Sequence, residues 1–146
     1  MTDLRELYQE TILDHYRQPR NAGRLAEANR TAEGFNPLCG DRVKLYLKVE
    51  DGVIRDARFD GTGCAIATAS ASLMTESIKG KREDEALQLL EKIHRMVTGG
   101  ATAGDAGKLE VLAGVHEFPE RVKCATLAWH TLKAALENVA APVSTQ

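Results

Sequence analysis

Three cysteines and one nearby aspartate are the residues of this chain with the most distinctive chemistry. Cys39, Cys64 and Cys124 are its 3 cysteines, and Asp41 follows closely after the first of them. An odd number of cysteines cannot all pair within one chain. The charged start of the sequence is unlike a secretion signal, so the thiols are expected to stay reduced.

These four side chains form a set of ligands that suits a metal ion. Three thiolates and one carboxylate favour tetrahedral zinc, or iron in a sulfur-rich site, over calcium or magnesium. The spacing is wide, however, and no CxxC pair occurs. Buried thiols without a metal are an equally open interpretation of the residue types, because free cysteine is among the most buried residues.

The alternation of apolar and polar residues on either side of Asp51-Gly52 predicts a β-hairpin. A three-residue loop over 50–52 pairs Val43 with Phe59. It matches the apolar faces better than a two-residue loop does, so the longer loop is predicted.

The same hairpin brings candidate ligands together. When the pairing is extended backward, Cys39 lies opposite Cys64 or its neighbour Gly63. Asp41 points to the same face as Cys39, because side chains two residues apart on a strand share a face. The sequence therefore predicts two thiols and a carboxylate at one end of the hairpin.

Two helices are predicted next to the remaining thiols. The alanine-rich and serine-rich run after Cys64 indicates a helix that begins at or just after this cysteine and ends at Gly80. An apolar stripe after Pro119 indicates a long final helix, with Cys124 in its first turn and off the stripe. Backbone amides in a first turn stabilise an anion, so Cys124 is expected to tend toward the thiolate.

The rest of the chain is predicted to support these elements. The further predictions are an amphipathic helix over 4–16, a short edge strand near 30–35, a helix over 82–97 and a short apolar helix over 108–115. The glycine-rich stretch 98–107 is expected to be a mobile flap.

The composition limits the classes of function. With 146 residues and 43% apolar content, the chain is expected to form a single domain over 1–146. Its 19 basic and 21 acidic side chains give a net charge of -2, which does not favour nucleic acid as a partner. No apolar run has the length of a membrane span, so no membrane association and a cytoplasmic location are expected.

Other catalytic classes find weaker support. The Gly61-Thr62-Gly63-Cys64 segment lacks the third glycine of a dinucleotide loop, because Ile66 occupies that position. The 4 histidines have ordinary places on helices or turns, and none is adjacent to a cysteine. A hydrolase is a weak alternative, since no serine-nucleophile motif is present.

Three segments of the sequence carry a family resemblance. NPLCGD at 36–41, DGVIRDARFDGTGCAIATASASLMTE at 51–76 and FPERVKCATLAW at 118–129 contain the three cysteines. Together they resemble the NifU/IscU-like iron–sulfur cluster assembly family. The stretch before the last cysteine resembles the insertion of the SufU branch. In the IscU branch a histidine precedes that cysteine, whereas this chain has Lys123.

The resemblance implies an α+β fold in which a small antiparallel sheet of about three strands is flanked by helices. It also implies a zinc ion bound by Cys39, Asp41, Cys64 and Cys124. Cys39 is the position expected to accept persulfide sulfur. A ligand from a partner protein is expected to displace Cys39 from zinc while the other three residues keep the ion.

The resemblance further implies a zinc-dependent sulfurtransferase. Its partners would be a pyridoxal-phosphate-dependent, SufS-like cysteine desulfurase and a downstream iron–sulfur scaffold. Arg121 and Lys123 are candidate supporting charges near the last cysteine. The alternatives are a scaffold that carries an iron–sulfur cluster on the same residues and a domain in which zinc only stabilises the fold.

Overall fold

The computed structural model describes residues 4–37, 40–99, 107–138 and 143–144. These residues form helices, three longer strands and one short strand. In chain order the elements are α1 (Leu4–Arg17), β1 (Arg30–Asn36), β2 (Asp41–Glu50), β3 (Val53–Thr62), α2 (Ala65–Ile78), α3 (Glu83–Gly99), a 3₁₀ helix (Gly107–Glu117), α4 (Pro119–Leu136) and β4 (Val143–Ser144).

The strands form one sheet in the order β3-β2-β1-β4. The three long strands are antiparallel, whereas β4 pairs in parallel with Gly34 and Phe35 of β1. The prediction of an α+β fold with a small antiparallel sheet flanked by helices is confirmed. The segment near 30–35 is a strand as predicted, although β4 lies along part of the edge that we expected to be open.

The helices pack in layers on the sheet. Helix α4 contacts β1 and β2, and α2 contacts β3 and α4. Helix α1 packs against α2, and α3 packs against the 3₁₀ helix and α4. The core contains the inward-facing strand residues Val43, Leu45 and Leu47 together with Trp129 of α4. Among the helices in the described part of the chain, none has a stretch long and apolar enough to span a bilayer.

The hairpin between β2 and β3 differs from the sequence prediction. The loop has two residues, Asp51 and Gly52, both with positive φ (53° and 75°), as a type I′ turn requires. A register shift at Lys48/Val49 then gives β3 one extra residue, so that Leu45 lies opposite Phe59. The predicted three-residue loop is wrong, because a β-bulge restores the apolar matching that we attributed to a longer loop.

Buried polar contacts tie the helices to one another. Ser70 of α2 donates a hydrogen bond to the carbonyl oxygen of Ala125 at 2.6 Å and accepts one from Trp129 Nε1 at 3.1 Å. His15 of α1 lies 2.7 Å from the hydroxyl of Ser72, which also accepts the backbone N–H of Arg20. These contacts fix α2 relative to both α1 and α4.

The other predicted elements correspond to described ones. The helices predicted over 4–16, over 82–97 and after Cys64 are α1, α3 and α2. The apolar segment 108–115 lies within the 3₁₀ helix. Of the expected flap over 98–107, residues 98–99 belong to α3 and Gly107 begins the 3₁₀ helix, while 100–106 lie outside the described residues.

We predict that Gly61 tolerates no side chain. Its φ is +153°, and a Cβ atom there would collide with the carbonyl oxygen of Arg42 on the neighbouring strand. Gly61→Ala is expected to lower the free energy of unfolding by more than about 3 kcal/mol in urea denaturation. The control Gly52→Ala has positive φ but open space around it, so about 1 to 2 kcal/mol of conformational strain is expected. Equal losses in the two variants would contradict this explanation.

His130 is predicted to make stability depend on pH. Burial lowers its pKa below the ordinary value of 6.5, and the charges of His94 and Lys133 act in the same direction. Below about pH 6.5 the unfolded chain therefore binds more protons at this residue than the folded chain does, and stability falls. Urea denaturation from pH 7.5 down to pH 5.5 should show a smaller loss for His130→Gln than for the unmodified protein. The same pH slope in both proteins would refute the prediction.

Candidate metal centre

Three elements place the predicted ligands at one end of the sheet. Asp41 is the first residue of β2 and pairs with Asn36, the last residue of β1. Cys64 follows β3 and is the N-cap of α2. Because β2 and β3 are antiparallel, the start of one lies beside the end of the other. Cys124 reaches this end from α4, which packs across β1 and β2.

The ligand atoms of Asp41, Cys64 and Cys124 all lie within 4.8 Å of one another. Ligand atoms around a tetrahedral zinc ion are roughly 3.5 to 3.8 Å apart, so small side-chain movements would close the group on one ion. Asp41 and Cys124 are buried, with exposed fractions of 1% and 0%, and Cys64 is half-buried. Two thiols and a carboxylate are a donor set that suits zinc. No histidine side chain that the structure describes belongs to this group.

Each of the three groups accepts a hydrogen bond from the protein. The backbone N–H of Cys64 donates to Asp41 Oδ1 at 2.9 Å, and the N–H of Ala67 donates to Cys64 Sγ at 3.4 Å. Asn36 Nδ2 lies 3.4 Å from Asp41 Oδ2 and 3.6 Å from Cys124 Sγ. Carboxylate and thiolate groups are the forms that bind metals, and both accept hydrogen bonds from N–H donors such as these.

The cysteine at a helix N-terminus is Cys64, and the prediction for Cys124 is wrong in this respect. Helix α4 begins at Pro119, so Cys124 is its sixth residue and lies in the second turn. The effect of a helix dipole is confined to the terminal turn. Cys124 is also fully buried, whereas the sequence analysis placed it off the packed stripe. The residues of α4 from Cys124 to Trp129 are all buried, because this part of the helix is covered on several sides.

Of the other predicted site residues, the structure describes Arg121 and Lys123 but not Cys39. Cys39 lies outside the described residues, so its predicted place opposite Cys64 or Gly63 stays a prediction. After it, the backbone N–H of Gly40 donates to the carbonyl oxygen of Asn36 at 2.8 Å. Arg121 is exposed in the first turn of α4, and Lys123 is half-buried one residue before Cys124.

Asn36 is a site residue that the sequence analysis missed. It is buried, with 1% of its surface exposed, although asparagine usually lies at the surface. The sequence does carry a signal for it. Asn36 begins the NPLCGD segment and continues the alternation of Ala32 and Gly34, so a polar residue lies on the buried face of β1 shortly before the first cysteine.

The sequence matches the family described as NifU-like N terminal domain over residues 7–144. It is 45% identical over 139 residues to the iron–sulfur cluster assembly scaffold protein IscU of Thermotoga maritima, covering 93% of this chain and 96% of the relative. It is 43% identical over 133 residues to the zinc-dependent sulfurtransferase SufU of Bacillus subtilis, covering 90% of both chains.

The fold also resembles a solved structure. A putative iron–sulfur cluster assembly scaffold protein for the SUF system, from Fervidobacterium islandicum AW-1, superposes with a TM-score of 0.84 at 37% sequence identity. The similarity covers 89% of this chain and 96% of that one.

Gly63 is predicted to keep space for the Asp41 carboxylate. A Cβ atom at Gly63 would lie 2.9 Å from Asp41 Oδ1 and 3.3 Å from the Cβ of Ala67. Gly63→Ala should therefore displace the carboxylate and lower zinc affinity by about 10-fold to 100-fold, the effect typical of changes beside a metal ligand. Competition with a chromophoric chelator measures this affinity. Gly99→Ala, where a Cβ has open space, is the control and should bind zinc as the unmodified protein does. Unchanged affinity in Gly63→Ala would contradict the assigned role.

Proposed function

Because the chain belongs to the NifU-like N-terminal domain family of iron–sulfur cluster assembly proteins, we propose that it is a zinc-dependent sulfurtransferase. In this role it accepts sulfane sulfur from a SufS-like, pyridoxal-phosphate-dependent cysteine desulfurase and passes it toward a downstream cluster scaffold. The reduced thiols that this transfer needs are consistent with a cytoplasmic location.

The donor set is the observation that carries the proposal. Asp41, Cys64 and Cys124 converge without a described histidine, and Lys123 occupies the position where the IscU branch has one. The relative from Bacillus subtilis, which is named a zinc-dependent sulfurtransferase, supports the same interpretation. When bound, zinc would stabilise the thiolate forms at neutral pH without adding redox chemistry.

The residues of this chain have separate roles in the proposed transfer. Asp41, Cys64 and Cys124 would hold the metal, each with a hydrogen bond from the protein to its ligand group. Cys39 would be the sulfur acceptor. Its thiolate attacks the outer sulfur of the desulfurase persulfide, and a new S–S bond forms at Cys39. The original S–S bond breaks, and the desulfurase cysteine leaves as a thiolate, so no external oxidant or reductant is needed.

A scaffold function is the second candidate. The Thermotoga maritima relative is named a scaffold protein, and its identity to this chain is at least as high as that of the sulfurtransferase. In a scaffold the same thiols would hold an iron–sulfur cluster, and Asp41 would be a labile fourth ligand. The two candidates differ in the resident metal and in the effect on the desulfurase.

We predict that the purified protein contains zinc and stimulates alanine formation from cysteine by a SufS-like desulfurase. Cys64→Ala and Cys124→Ala should lose both the zinc and the stimulation, since each removes a ligand from the buried group. Cys39→Ala should lose the stimulation because the acceptor thiol is gone. Ser77→Ala is the control, because its hydroxyl donates to the Leu73 carbonyl oxygen near the C-terminal end of α2, at the opposite end of this helix from Cys64.

Three outcomes would count against the sulfurtransferase. Full stimulation by a zinc-containing Cys39→Ala variant would exclude Cys39 as the acceptor. A visible chromophore after anaerobic reconstitution with iron and sulfide, followed by transfer to an apo-protein, would support the scaffold instead. Bound zinc with neither activity would leave only a structural role for the metal.

A further inference from the structure

We infer that Asn36 is a positioning residue that holds Asp41 and Cys124 as a fixed pair of ligands. The inference rests on the proposed function, because it assigns the residue that keeps the metal bound while Cys39 takes part in sulfur transfer. Asn36 precedes the metal-ligand candidates in the chain and is not itself a ligand.

Asn36 of β1 lies between the candidate ligands of two other elements, Asp41 of β2 and Cys124 of α4. Its side-chain nitrogen lies 3.4 Å from Asp41 Oδ2 on β2 and 3.6 Å from Cys124 Sγ on α4. Asp41 and Cys124 are separated by most of the chain. The Asn36 amide is thus a short link between the sheet and the helix.

The chemistry of the site determines which end of the amide faces the ligands. A metal-binding carboxylate and a thiolate are both acceptors, and the amide of asparagine carries two N–H donors on one atom. Nδ2 can therefore serve both groups at once, whereas Oδ1 in that place would repel both. The hydrogen-bond partners of the amide therefore determine its orientation.

The backbone around Asn36 is held on both sides. Asn36 pairs with Asp41 across the β1–β2 ladder, and its carbonyl oxygen accepts the N–H of Gly40 at 2.8 Å. Gly34, two residues earlier, packs so closely on α4 that a Cβ there would collide with Thr131. The donor is consequently placed by the strand and by α4, and its position does not depend on a bound metal.

Three ligands with fixed donors can keep an ion when a fourth ligand is exchanged. Cys64 is held by the N-terminus of α2 through the N–H of Ala67. The Asn36 side chain holds Asp41 and Cys124 in the same way, through hydrogen bonds from Nδ2. An N–H···S hydrogen bond also withdraws charge from a thiolate, so Asn36 adjusts how strongly Cys124 donates to the metal.

The test uses Asn36→Leu, which removes the amide and keeps a similar volume, and Asn36→Ser, whose short side chain cannot reach both ligands. Zinc affinity is measured by chelator competition, and cobalt(II) serves as a spectroscopic substitute. Both variants should bind zinc about 10-fold to 100-fold more weakly than the unmodified protein. The sulfur-to-cobalt charge-transfer band should move to longer wavelength, because Cys124 becomes a stronger donor.

Thr75→Val is the matched control for a general loss of stability. Thr75 is also buried, on α2, and loses a hydrogen bond to the Ser72 carbonyl oxygen, but it contacts none of the ligands in the described hydrogen bonds. It should lower the melting temperature and leave zinc affinity and the cobalt spectrum unchanged.

The results separate this inference from the proposed function. If the unmodified protein binds zinc but the Asn36 variants match it in affinity and spectrum, Asn36 has no positioning role and the proposed function stands. Equal weakening by Thr75→Val would also overturn the role, since the effect would then follow from stability alone. If the unmodified protein binds neither metal, the proposed zinc site itself fails.

Discussion

The burial of the Asp41 carboxylate at one end of the sheet is the constraint on which the rest of the site depends. A carboxylate removed from water costs several kcal/mol unless hydrogen bonds or a cation compensate for the lost hydration. The backbone N–H of Cys64 and the side chain of Asn36 provide that compensation. The end of β1, the start of β2 and the start of α2 must therefore meet at one point. Cys124 of α4 is linked to the same point, because Asn36 Nδ2 also donates a hydrogen bond to Cys124 Sγ.

The strand pairing behind this arrangement was largely predictable from the sequence, but the hairpin loop was not. Alternating side chains defined both strands and the faces that they bury. The turn, however, has its own chemistry, since Asp51 and Gly52 both adopt positive φ in a two-residue loop. A three-residue loop, as predicted from the sequence, would match the apolar faces without a bulge. The protein instead keeps the favourable turn and inserts a bulge at Lys48/Val49, which conserves the same side-chain faces.

Within the site, the sequence predicted contacts that follow from strand geometry and missed those that depend on packing between distant elements. The proximity of Asp41 and Cys64 follows from one hairpin. Asn36 donates to Cys124 only because Gly34 lets α4 lie directly on β1, and no local pattern encodes that approach. The glycines before Cys64, which the sequence let us compare with a nucleotide-binding loop, have structural roles. Gly61 allows close strand pairing, and Gly63 leaves room for the Asp41 carboxylate.

The distribution of the candidate ligands along the chain fits a site in which one ligand must leave. Asp41, Cys64 and Cys124 belong to β2, the α2 N-terminus and α4, which are packed elements with fixed hydrogen-bond donors. Cys39 is placed by the sequence in the short connection between Asn36 of β1 and Asp41 of β2. Side chains on regular elements hold a geometry within narrow limits. Asp41, Cys64 and Cys124 are therefore suited to keep a metal ion in place. Under the proposed transfer Cys39 would be the ligand that leaves, because the acceptor thiol must lie near the metal and must also reach the persulfide of a partner.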